Sequence, residues 1–292
     1  MSPQLLASAT LEQAGGSRPR RKRIASWIIP AVMWGYAVLS IAPFALMVVN
    51  SVRPSSDVLS NPVPGPFVPT LDNYASAWTE ASFQTYFVNS MLITVAAITI
   101  STVVSVPAAY ALARWRFFAH NTVENLFVLG LLIPLILVIL PLFYIIDFLR
   151  LIDSPLSLIL IYAVNGIPFS VFVLSVFFRR LPKELEEAAH IDGVGPFGMF
   201  LRIMVPLVKP AIVTVAVFRF VPIYNDFLYP LIMLRSKQNF TISVGLMSFF
   251  GDNATDWASL FAGLVIASVP LVILFLFATR QIVDGLTAGL GK

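Results

Sequence analysis

Apolar runs of membrane-crossing length alternate with short polar breaks along this chain. The runs cover about residues 24–50, 87–113, 123–148, 156–178, 206–234 and 257–278. Each is near or above the roughly 20 residues with which an α-helix crosses a bilayer core. The pattern predicts an all-α, polytopic membrane protein with six transmembrane helices. Around them lie a polar tail (1–23), a loop (51–86) rich in proline (Pro54, Pro62, Pro64, Pro66, Pro69), a polar loop (179–205) inside a five-span core (87–280), and a second tail (281–292). Trp78, Phe83, Tyr86 and Phe87 close the 51–86 loop and fit a membrane interface. The second run carries Ala96, Ala97, Ser101, Ser105, Ala108, Ala109 and Ala111, small residues that suit helix–helix contact better than lipid. Pro134, Pro141 and Pro168 inside the next two runs are tolerated where neighbouring helices satisfy the freed carbonyls, and each offers a kink.

Charge gives the runs a direction. Fourteen Lys and Arg fall in the two tails with Arg280, the turn at Arg114 and Arg116, and the 179–205 region with Lys209, against four (Arg53, Arg150, Arg235, Lys237) in the alternate breaks. The excess of basic residues predicts that both termini and the 179–205 loop face the cytoplasm. The run at 24–50 exceeds the roughly 7–15 apolar residues of a cleavable signal, so it reads as an uncleaved first span behind a disordered basic tail.

Composition agrees, with 58% hydrophobic and 12% charged residues and a mean hydropathy of +0.86. The net charge of +4 follows topology rather than gathering on one soluble face, which argues against nucleic acid as a partner. There is no cysteine, and His120 and His190 form no ligand-spaced pair, so neither a disulfide framework nor a metal centre is expected and both histidines read as surface residues.

The break at 179–205 is the most structured polar stretch. Pro182 suits a first helical turn, Glu184, Glu186 and Glu187 place negative charge at a helix N-terminus, and Lys183 and Glu187 are spaced to pair. Gly193 and Pro196 stop the helix. The reading is a short helix outside the membrane, with Ala188 and Ala189 leaving room for another surface to approach.

Glu187-Ala188-Ala189, three residues, Gly193, and then Ile203 and Pro206 resemble the signature loop of bacterial ABC importer permeases. With Glu186 before it, Ile191-Asp192-Gly193 within it and Val205-Pro206-Leu207 after it, the stretch looks most like the carbohydrate-uptake class, typified by the smaller permease of the maltose transporter. Leu71-Asp72-Asn73-Tyr74, Ala109 to Phe117, and Gly285-Leu286-Thr287-Ala288-Gly289 are similar to family elements, with Asp284 a departure in the last. The resemblance implies a permease of the bacterial inner membrane, working with a sister permease, an ATPase dimer that binds ATP and Mg, and an external sugar-binding protein. It also implies that Glu186, Glu187, Ala188, Ala189, Asp192 and Gly193 couple the chain to that ATPase, whose closure would drive alternating access for a sugar substrate.

The chain has no Gly-x-x-x-x-Gly-Lys-Ser/Thr phosphate loop, so it is expected to hold no cofactor and to hydrolyse nothing itself. Polar residues within the spans are candidates for the translocation path, because each costs free energy unless it meets a cavity or a partner. These are Arg219, Tyr224, Asn225 and Asp226 in the fifth run and, more weakly, Asn165 in the fourth beside Pro168 and Ser170. Arg219 and Asp226, seven apart, share a helical face if the helix is continuous. They then either line a sugar path or pair with each other to hold the bundle. An ion-coupled secondary transporter is the alternative class, and it would have no use for a loop of this pattern.

Overall fold

Prolines and small residues decide where the apolar runs become helices and where they break. The computed structural model describes residues 20–61, 65–248 and 256–290; the calls on the tail at 1–19 and on Lys292 fall outside them, as do the side chains of the C-terminal motif at 285–289. Two units are present, residues 1–49 and 50–292. In the first, helix α1 (Arg20–Ser51) contains a segment, Ile29–Ser51, long and apolar enough to cross a membrane, with Trp34 and Phe44 exposed along it.

The second unit opens with a folded segment where a proline-rich loop is expected. Helices α2 (Ser55–Ser60) and α3 (Asp72–Ala75), the latter continued by a π-turn over Ser76–Glu80, are organised by Arg53, which is 2% exposed. Its Nη1 donates to Asn50 Oδ1 at 2.8 Å, its Nη2 donates to the carbonyls of Asp57 (3.2 Å) and Asn61 (3.0 Å), and the guanidinium lies over the Phe67 ring. Asn73 donates to the carbonyls of Ser51 and Arg53 at 2.9 and 2.8 Å. Ordinary local periodicity cannot announce this segment, because side-chain bonds rather than a repeating pattern hold it, those of Asn73 reaching backbone 20 and 22 positions away.

Helices α4 (Phe83–Arg114) and α7 (Pro155–Arg180) form the centre of the unit. On α4, Ala97, Ser101, Ser105 and Ala109 are buried at a spacing of four; on α7, Leu158, Tyr162, Gly166, Ser170, Leu174 and Phe178 are buried at the same spacing. Rows of side chains four apart are the ridges that interlock between helices, and small residues let the backbones close in. A Cβ on Gly166 would stand 2.6 Å from Ser101 Oγ, so only glycine fits there. Phe83 and Tyr86, expected at the interface, are instead core residues at 0% and 2% exposure, and Gly263 and Gly245 have no room for a Cβ against their rings.

Two runs expected as single spans are broken. Helices α5 (His120–Leu132) and α6 (Ile139–Phe148), joined through a 3-10 turn at Leu135–Val138, meet at 91°. Pro134 lacks an N–H and forces Ile133 into extended backbone, which ends α5. After the short helices α8 (Glu184–Ile191) and α9 (Pro196–Met199), helix α10 (Val205–Asn225) stops where the fifth run continues. Asp226 is extended, and α11 (Leu228–Met233) and α12 (Ile242–Ser248) precede α13 (Trp257–Leu290). Among the described residues, five helices are long and apolar enough to cross a membrane, and six if the bent pair counts as one span.

A clasp ties the α6–α7 turn to the stretch after α11. Asp153 Oδ1 accepts from the backbone N–H groups of Arg235 and Ser236, each at 2.9 Å, while Ser236 Oγ donates to Oδ2 and Asn239 Nδ2 to Oδ1 at 3.1 Å. Partial desolvation opposes ionisation, but the bonds from Ser236, Arg235 and Asn239 outweigh it and hold the carboxyl well below the usual carboxylate range.

A depressed native pKa makes the clasp fully formed above the unfolded value and weaker as pH falls toward the native one. The difference in melting temperature between the natural chain and Asp153→Asn, measured in detergent, is therefore expected to stay level from about pH 8 to pH 5 and to shrink below about pH 4. Arg53→Met strands the buried Asn50 side chain and frees two partly buried carbonyls, and is expected to cost about 1–3 kcal/mol, read as a lower melting temperature.

Candidate functional site

Helix α8 follows α7 directly, separated only by Leu181, Pro182 and Lys183. Pro182 stands just ahead of α8 rather than in its first turn, which holds Glu184, Glu186 and Glu187. The other end closes in a Schellman arrangement. Gly193 N donates to the His190 carbonyl at 3.1 Å, and Val194 N donates to the Ala189 carbonyl at 2.9 Å. Gly193 has φ +77°, a left-handed conformation that glycine adopts without a Cβ clash.

The two faces of α8 have different tasks. Ala189 is 4% exposed and packs with Met199, Met204, Phe178 and Val194. Glu186 turns inward as well, with Oε1 2.7 Å from Arg114 Nε, and Arg114 Nη2 donates to the Leu181 carbonyl at 2.8 Å. Ala189 and Glu186, three apart, are therefore the seat of the helix on the bundle, and the expectation that both alanines lie open is corrected to Ala188 alone. Glu187, Ala188, Asp192 and Gly193 face outward, together with Ile191 at 85% and Phe197 at 75% exposure. Sequence reading quoted Ile191 only as part of the motif and passed over Phe197, since nothing but exposure sets either apart from core residues. Among the described residues, Lys183 and Glu187 make no ion pair with each other.

The seat is itself braced. Tyr110 meets the rings of Trp115, Phe178 and Phe200 at 5.7, 5.4 and 5.2 Å, so α4, α7 and the segment after α9 converge on one aromatic cluster. Arg179 Nη2 lies 2.9 Å from Glu124 Oε1, and Glu124 Oε2 lies 3.5 Å from His120 Nε2. His120 is 7% exposed against the Phe117 ring, not on the surface, while His190 is exposed.

The polar residues of the fifth run separate. Arg219 is half-buried and reaches α7, its Nη1 donating to Asn165 Oδ1 at 3.2 Å and its Nη2 to the Tyr162 carbonyl at 3.0 Å. Asp226 lies past the end of α10, so the seven-residue face does not extend to it. It accepts from the Tyr162 hydroxyl at 2.7 Å and from Leu228 N at 3.0 Å. Tyr162 thus stands between Arg219 and Asp226, which form no pair. Tyr224 is 4% exposed, stacks on Phe220 and donates to the Ala267 carbonyl at 3.0 Å, which places it between α10 and α13. Asn225 is exposed at the end of α10. Asn165 also lines a cavity of about 580 Å³ between the bent α5–α6 pair and α7, whose other walls include Leu135, Leu142, Ile146, Ile161 and Val164.

The family model described as "binding-protein-dependent transport system inner membrane component" matches residues 102–287. The chain is 31% identical to the diacetylchitobiose uptake system permease protein NgcG of Streptomyces coelicolor, over 96% of its own length and 92% of that protein's. It is 35% identical to the arabinooligosaccharides transport system permease protein AraQ of Halalkalibacterium halodurans, over 91% and 96%. Its fold is similar to a chain in the crystal structure of a bacterial ABC transporter involved in import of the acidic polysaccharide alginate, with a TM-score of 0.76 at 20% identity, covering 91% of this chain and 99% of that one.

The two glutamates at the centre of α8 should respond differently to substitution. Glu186→Ala removes the partner of a buried Arg114 and is expected to cost about 1–3 kcal/mol, with faster hydrogen exchange over 181–194. Glu187→Ala, on the open face, is expected to stay within about 0.5 kcal/mol of the natural chain.

Proposed function

The chain belongs to the family of binding-protein-dependent transport system inner membrane components, and we propose that it is a permease subunit of an ATP-driven sugar importer in which α8 docks on a separate ATPase. Permease subunits of this kind are non-catalytic, and this one forms part of the membrane path. The observation that carries the docking assignment is the division of α8 into a seat and an open face. A helix of eight residues is too short to persist alone in water, yet here Ala189, the Arg114–Glu186 pair and the Gly193 cap hold it against the bundle. The face left outward combines Glu187 and Asp192 with Ala188, Ile191 and Phe197, an apolar centre with a charged rim of the sort that protein partners cover.

In this reading ATP and Mg belong to the partner ATPase dimer, a sister permease completes the bundle, and an external binding protein delivers the sugar. Both termini and α8 lie in the cytoplasm, as the basic residues distribute. ATPase closure displaces α8 as a rigid piece, and the movement passes into α7 at one end and, through α9, into α10 at the other. Asn165, Arg219 and Asp226 lie where these helices meet and are the path residues of this proposal, with Asn225 at its edge; Tyr224 serves the α10–α13 contact.

Affinity purification in mild detergent with mass spectrometry checks the docking face. Ile191→Asp and Phe197→Asp are expected to lose the ATPase while retaining the sister permease, and Glu187→Lys or Gly193→Pro to abolish uptake in a chain that still inserts. Retention of a stimulated ATPase by both aspartate variants would falsify the assignment of this face.

A further inference from the structure

We propose that the substrate carried along α7 bears a negative charge, an acidic rather than a neutral carbohydrate, and that Arg219, reaching α7 from α10, is the side chain that meets it; this rests on the permease reading above. The guanidinium has five N–H donors, and two are used, on Asn165 Oδ1 and the Tyr162 carbonyl. Both acceptors are neutral, and among the described residues Arg219 makes no ion pair. Asp226, the nearest acidic residue along this chain, is held by the Tyr162 hydroxyl and Leu228 N on the far side of Tyr162. Among the described residues the cation therefore has no fixed counter-charge.

Such a charge is an expensive way to join two helices. An arginine at mid-membrane costs about 2.5–3.5 kcal/mol on insertion scales, and a neutral amide would bridge Asn165 and the Tyr162 carbonyl for less. The bundle nevertheless makes a place for it. A Cβ on Gly166 would stand 3.1 Å from Arg219 Nε and 3.2 Å from Nη2, so the guanidinium lies against bare α7 backbone. Asn165, which holds Arg219, is also the polar side chain in the wall of the 580 Å³ cavity, whose remaining lining is aliphatic and offers hydroxyl groups no partners. A carboxylate, sulfonate or phosphate on a sugar would find its strongest contact at Arg219, bidentate through the free donors. Because α7 and α10 are the helices on either side of α8, an anion bound there spans the two elements that docking moves.

The test uses the assembled importer, with its own sister permease, ATPase and binding protein, in proteoliposomes. ATP-dependent uptake is compared for a uronic-acid disaccharide and a neutral disaccharide of the same linkage. The expected result is preference for the acidic sugar, with Arg219→Gln losing roughly tenfold to a hundredfold of that uptake, the scale of one charge-assisted pair, and Arg219→Lys keeping part of it. Asn165→Asp, nearly isosteric, gives Arg219 a fixed counter-charge and is expected to cause the same loss; it decides the matter if the Arg219 variants fail to assemble. Neutral uptake with the acidic sugar refused, or acidic uptake unaffected by Arg219→Gln or Asn165→Asp, overturns the inference and leaves the importer intact. ATP-dependent uptake of neither sugar by an assembled, ATP-hydrolysing complex removes the sugar-permease reading along with it.

Discussion

Close approach of α4 and α7 is the constraint on which the other contacts depend. The two backbones meet where Ala97, Ser101, Ser105 and Ala109 on one and Gly166 and Ser170 on the other are buried at matching intervals, Ser101 against Gly166, with Leu174 and Phe178 continuing the row. In a lipid environment there is little hydrophobic drive to bring helices together, so packing of this kind carries most of the association. The candidate site residues take their places from that seam. Arg219 rests on Gly166, Tyr162 divides Arg219 from Asp226, and Phe178 supports both Tyr110 and the seat of α8.

Much of this was legible in the sequence, and for identifiable reasons. Helical spans declare themselves because an unbroken apolar run has few other stable forms in a membrane. The start and stop of α8 were legible because acidic residues and glycine act locally, through the helix dipole and the left-handed cap. Small residues four apart on α4 were visible for the same reason: the spacing is a property of one helix.

What stayed hidden depends on residues distant in the chain. Glu186 and Glu187 look equivalent until Arg114, more than seventy positions earlier, selects one of them. Arg53 reads as a basic residue in a loop, although it is the buried hub of a folded segment. The angle at Pro134 and the end of α10 at Asn225 are breaks that hydropathy averaged over a span passes over, since apolar stretches continue beyond each. Phe83 and Tyr86 looked interfacial because aromatic composition is common to both environments, and it is Gly245 and Gly263 that admit their rings to the core.

The seating of α8 also bears on the biogenesis of the protein. During synthesis, residues 184–191 emerge only after α4 and α7, and the helix acquires its shape from Arg114 at the end of one and Leu181 just beyond the other. A chain whose first core helices have not yet come together has no pocket for Ala189 and no partner for Glu186, so it displays a loose acidic peptide in place of a firm knob. Formation of the α8 surface is thereby made conditional on correct packing of the bundle beneath it.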